Sequence, residues 1–108
     1  MVVIEIGQYR TKPSIRFNIR ANGVVFDLTN KTVNFVVGDK ETGLVLIRRA
    51  CVPVGSPTEG RCDFSWEPGD TDIAQNGLDA ELELILSDGS SQTISQMKVN
   101  IFPTLGGG

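Results

Sequence analysis

The chain contains no histidine. That absence removes the Ser-His and Cys-His nucleophile pairs, the commonest general base near neutral pH and the commonest zinc ligand. Cysteine is nearly absent too: Cys51 and Cys62 stand alone, and two thiols without an imidazole do not build a structural zinc site. No apolar run approaches the roughly 18 residues of a spanning helix, so no membrane segment is expected. The opening Met1-Val2-Val3-Ile4-Glu5-Ile6 lacks a basic leader and a cleavable apolar stretch, and no secretory signal is expected there either. Basic clusters are missing as well. The 10 Lys and Arg and the 13 Asp and Glu, net −3, are scattered along the chain, so a polyanion such as nucleic acid finds no anchoring patch. The densest basic group, Arg48-Arg49, reads as a solvated strand end.

What the chain has in abundance is alternation. Apolar residues take every second position in Ile15-Phe17-Ile19, Val33-Phe35-Val37, Cys62-Phe64-Trp66, Leu78-Ala80-Leu82-Leu84-Leu86 and Met97-Val99-Ile101. A period of two puts each set on one face of a strand. No segment sustains the spacing of an amphipathic helix over about ten residues, so the fold class is all-β, with two sheets burying these faces together. Turn residues punctuate the strands at Asn22-Gly23, Gly38 to Gly43, Gly55 to Gly60 and Asp88-Gly89. The longest irregular stretch, Glu67 to Gly77, is expected to hold one helical turn capped by Asp70 or Thr71. Leu78 to Ser87 and Gln92 to Phe102 then form a long closing hairpin.

At 108 residues the chain is one domain, long enough for a single core. Residues 1–12 read as an N-terminal strand and arm, 13–102 as the sandwich, and 103–108 as a mobile glycine-rich tail. About seven or eight short strands suit an antiparallel, immunoglobulin-like β-sandwich. The antibody signature is missing, since Cys51 and Cys62 are only eleven residues apart and Trp66 follows both. The two cysteines fall on neighbouring strands, where a bridge and two free thiols are both open. Reduced, buried thiols fit synthesis in a cytosol.

Carboxylates are the remaining material for catalysis or metal binding. Asp79, Glu81 and Glu83 alternate with Ala80, Leu82 and Leu84 and so form an outward ladder, which aids solubility and guards against edge pairing. Asp70 and Asp72 lack the further oxygen ligands and the glycine spacing of a calcium loop. Ser90 and Ser91 have no base to activate them. The glycine run at the C-terminus carries no lysine of a phosphate-binding loop. Among the aromatics, Phe17, Phe35, Phe64 and Trp66 fall in register with aliphatic neighbours and read as core, while Tyr9 is the ring expected at the surface. No catalytic, cofactor-binding or metal-binding residue is assigned, and no enzyme is expected.

Several features recur in one order. Pro13 precedes the strand Ile15-Arg16-Phe17-Asn18-Ile19, and Phe26-Asp27-Leu28-Thr29 precedes Val33-Asn34-Phe35. Gly60-Arg61-Cys62-Asp63-Phe64, Gly77-Leu78-Asp79-Ala80-Glu81 and Asp88-Gly89 with Val99-Asn100-Ile101 follow. This series, from Pro13 to Ile101, resembles the N-terminal domain of phage baseplate upper proteins. Physically, Asp27 or Thr29 can bond local backbone at a corner, Leu28 can plug the sandwich end, and Gly77 can supply a positive φ ahead of a buried strand.

The resemblance implies a non-enzymatic structural protein of a tailed-phage virion, made in the host cytoplasm and bound to other virion proteins of baseplate, tail or capsid. Domains of that family open longer proteins, whereas one domain here suggests an adaptor, a tail accessory or a capsid decoration. Attachment is expected through strand edges, the loops Gly38 to Gly43 and Glu67 to Gly77, and the N-terminal strand Val2 to Ile6, with a homo-oligomer among the possible states. Neither nucleic acid, membrane nor cofactor is an expected partner. The alternative is a carbohydrate- or host-cell-surface-binding module displayed on the particle.

Overall fold

The alternating segments become strands with one buried row and one outward row. A computed structural model describes residues 2–105. In chain order the strands are β1 (Val2–Gly7), β2 (Ile15–Asn18), β3 (Arg20–Ala21), β4 (Val24–Val25), β5 (Thr32–Asp39), β6 (Leu44–Ala50), β7 (Val52–Pro53), β8 (Arg61–Phe64), β9 (Gln75–Ile85) and β10 (Ser91–Phe102). They exceed the expected seven or eight because two-residue ladders (β3, β4 and β7) flank the longer ones. The expected mobile tail covers 103–108, of which 106–108 lie outside the described residues.

One sheet has five strands in the order β1-β10-β9-β5-β6, a second has three in the order β2-β8-β7, and β3 and β4 pair as a hairpin. β9 shows the logic most clearly. Leu78, Ala80, Leu82 and Leu84 point into the core, and Asp79, Glu81 and Glu83 point away from it. The inner faces of the two larger sheets meet in one apolar cluster. Phe35, fully buried on β5, lies at its centre, with ring centroids 5.5 Å from Phe17, 4.7 Å from Phe64 and 6.2 Å from Trp66. The architecture is all-β and sandwich-like.

Three expectations are corrected. The sheets are not purely antiparallel: β1 runs parallel to β10, with Val2 opposite Met97 and Ile6 opposite Ile101. No helical turn forms at Asp70 or Thr71. There the Asp70 N–H donates to the Glu67 carbonyl in a single turn, and the Asp70 carboxylate accepts the Glu67 N–H at 2.7 Å instead of capping a helix. β9 starts at Gln75, three residues before the apolar alternation, because Asn100 accepts the Gly77 N–H and the ladder to β10 continues past it. A short 3-10 turn does form elsewhere, at Pro57–Glu59, capped by Ser56.

The corner roles hold in detail. Asp27 Oδ1 accepts from the Thr29 N–H at 2.9 Å and its hydroxyl at 2.6 Å, Leu28 is buried, and Gly77 has φ 71. The connection from β1 to β2 is clipped to the loop ahead of β9. Tyr9 N–H donates to the Thr71 carbonyl, Thr71 Oγ1 donates to the Arg10 carbonyl at 2.8 Å, and Gln8 Nε2 donates to the Asp72 carbonyl. These bonds hold β1 in place at one border of the five-stranded sheet.

Candidate functional site

Strands β1 and β6 are the two borders of the five-stranded sheet. Just past β6, Cys51 donates its N–H to the Val33 carbonyl at 2.8 Å. Antiparallel pairs alternate between residues that bond their partner and residues that bond outward. With Phe35 opposite Arg49 and Val37 opposite Ile47, the backbone groups of Arg48 and Ala50 therefore face away from β5. At the other border, Gln8 donates its N–H to the Phe102 carbonyl. The same alternation along β1 and β10 turns the N–H groups of Val3 and Glu5 outward.

The side chains do little to protect these borders. Neither strand contains lysine or proline, the usual guards of an edge. Val2, Val3, Leu44, Val45 and Leu46 are all exposed. One irregularity interrupts β6, a bulge between Val37 and Gly38 that displaces the segment at Leu46 and leaves Ile47–Ala50 as its regular part.

Arg48 and Arg49 are not simply a solvated strand end, because the alternation splits them between faces. Arg48 stays on the outer face, 3.6 Å from Glu83. Arg49 turns onto the inner face opposite Phe35, where it grips both Asp70 oxygens at 2.8 and 3.1 Å, reaches the Ser65 carbonyl and lies 5.4 Å from the Phe64 ring centre. The charges that would discourage an incoming strand are thus held along the faces of the sheet. The signal was present in the sequence, since Arg49 shares the parity of buried Ile47.

The carboxylate ladder points outward as expected, and it is also cross-linked. Asp79 binds Lys98 Nζ at 2.6 Å and the Lys40 N–H at 2.9 Å, and these contacts hold its carboxyl below the ordinary range. Glu83 accepts from Asn34 Nδ2 at 3.1 Å. Between them, Val36 is buried on this outer face, flanked in register by Glu81 and Arg48. The structure separates the remaining candidates. Asp70 is taken by Arg49, Ser90 donates to Asp88 in the hairpin turn, and among the described residues no group of three or more His, Cys, Asp or Glu converges.

Cys51 and Cys62 are both buried free thiols. A hydrogen bond to Cys62, with burial added, pushes the Cys51 thiol up, away from the thiolate form that reacts. Tyr9 is exposed at 38 %, and Phe102, whose carbonyl caps the same connection, is exposed at 43 %. No helix among the described residues is long and apolar enough to cross a membrane.

The chemistry on offer is therefore backbone hydrogen bonding along two apolar sheet borders. A scan of the chain against protein-family models gives no match, and a search of curated proteins gives none either.

Proposed function

We propose that this chain is a non-enzymatic structural protein of a tailed-phage particle, an immunoglobulin-like module that attaches to other virion proteins through the edges of its five-stranded sheet. The observation that carries this reading is the pair of borders β1 and β6, both without lysine or proline and each with outward N–H groups and exposed apolar side chains. An added strand gains backbone hydrogen bonds there and specificity from alternate side chains. Support for the particle context comes from the ordered resemblance to the N-terminal domain of baseplate upper proteins. Repetition in a symmetric particle lets contacts that are weak singly hold together.

Mass spectrometry of purified particles, from cells that produce this chain, tests the reading. Many copies per particle are expected. A chain abundant in the lysate and missing from washed particles sinks it. The second reading, a glycan- or host-surface-binding module, rests on the exposed rings of Tyr9 and Phe102 near one end of β1. Glycan-array binding that is lost in Tyr9→Ala favours it.

A further inference from the structure

Strand directions relate the two borders to each other. β1 runs parallel to β10, which is antiparallel to β9, which is antiparallel to β5, which is antiparallel to β6. β1 and β6 therefore point in opposite directions at opposite sides of one sheet. A second copy placed beside the first, with its smaller sheet on the same side, brings its β1 antiparallel to the first copy's β6.

The fit extends to individual residues. The outward N–H groups belong to Val3 and Glu5 on one border and to Arg48 and Ala50 on the other. Setting Glu5 opposite Arg48 also sets Val3 opposite Ala50, so both outward pairs meet as hydrogen-bonded pairs. Directly opposed residues share a face. The same register places Ile6 against Ile47 and Ile4 against Arg49, all on the core side, and Glu5 against Arg48 on the outer side. It spans Ile47–Ala50, the part of β6 beyond the bulge.

Charge selects this pairing over β6 pairing with itself, and the variants below separate it from a β1–β1 contact. Glu5 makes no ion pair among the described residues, and Arg48, with 54 % of its side chain exposed, holds Glu83 only at 3.6 Å. Pairing β6 with itself through the outward groups of Arg48 sets Arg48 on Arg48 or, with Arg48 opposite Ala50, Arg49 on Arg49, and opposed like charges are unfavourable.

We propose that copies of this chain join head to tail, the β1 border of one pairing antiparallel with the β6 border of the next in the register that sets Glu5 opposite Arg48. The inference builds on the edge-binding reading above and names a second copy as the partner. Such a contact is heterologous, so it propagates into a ring or an open filament. One short seam buries much less than the roughly 1,600 Å² of a standard interface, so the association is weak and rises with concentration.

Sedimentation over about two decades of concentration tests it, with Val3→Pro and Ala50→Pro each removing one outward N–H while leaving the internal ladders intact. Wild type is expected to climb past the dimer, each variant to stay monomeric, and an equimolar mixture to stop at a heterodimer, because only one intact β1 meets one intact β6. Wild type that stays monomeric overturns the pairing, whatever the particle analysis shows. So does either variant dimerising alone, which marks a β6–β6 or a β1–β1 contact. Should a proline variant fail to fold by circular dichroism, Glu5→Arg and Arg48→Glu replace the pair. Each alone is expected to weaken association about tenfold, and the two together to restore it; absence of that rescue overturns the register.

Discussion

Arg49 and Asp70 lock border strand β6 to the connection ahead of β9 through two parallel bonds, Nη1 to Oδ2 at 2.8 Å and Nη2 to Oδ1 at 3.1 Å. Glu67 joins with an ion pair at 3.1 Å, and its N–H donates to Asp70 as well. Burial works to raise the Asp70 carboxyl, but the guanidinium and the amide outweigh it and hold the group below its ordinary value. A carboxyl depressed in the folded state adds stability above its unfolded pKa of about 3.9, and that stability is lost as pH falls through the lower folded value. Asp70→Asn is therefore expected to lower stability near neutral pH by about 2 kcal/mol, with the gap to wild type closing in strong acid. Urea melts of both proteins across that range check it, and a gap indifferent to acid would contradict the assignment.

Phe35 touches three rings from the opposite side of the core. Phe35→Ala is expected to remove about 3–5 kcal/mol, and Phe35→Leu, which keeps most of the volume, under about 1.5 kcal/mol. Because Trp66 stands edge-on to the Phe35 ring, the near-ultraviolet circular dichroism of Trp66 should flatten in the alanine variant before global unfolding. Equal losses for the two substitutions would mean that the ring cluster does not organise the core.

Much of this core was legible because burial on one face imposes a period of two and the side chains obey it. Phe17, Phe35, Phe64 and Trp66, matched to core positions by alternation alone, pack on one another, although Phe17 stays partly exposed. Partner choice was not legible. Nothing local in Val2–Gly7 specifies that it runs parallel to β10, because β1 and β10 lie at opposite ends of the chain. The Asp70-Thr71-Asp72 segment suggested a helix cap because these residues bond backbone readily, yet Arg49 and the Arg10 carbonyl claimed Asp70 and Thr71 first. The sheet borders needed both parity, which the sequence shows, and strand order, which it does not.

Gly38 and Gly43 bracket the tip of the β5–β6 hairpin and answer differently to a methyl group. A Cβ on Gly38 would lie 2.1 Å from the Leu44 carbonyl oxygen, at the bulge, where backbone must move to admit it. Gly43 has open space around it and only the strain of its φ of 75 to overcome. Gly43→Ala is expected to destabilise by about 1 kcal/mol and Gly38→Ala by about 2–3 kcal/mol. Denaturation midpoints compare them directly, and the reverse order would show that the hairpin tip limits stability more than the bulge.

Cys51 and Cys62 settle the question of a bridge in favour of two buried free thiols. Reaction with an alkylating agent needs a thiolate within reach of solvent. Here Cys51 is held towards its neutral form, and the two residues are 6 % and 1 % exposed. Labelling of the native protein by iodoacetamide should accordingly wait for transient opening and run at least about a hundredfold slower than in denaturant. Both thiols then react together on unfolding, because one cooperative core covers them. Intact-mass measurement over time separates the outcomes. Rapid labelling of the native chain would place a thiol at the surface, and a mass short by two hydrogens that never takes label would mean the pair is bridged.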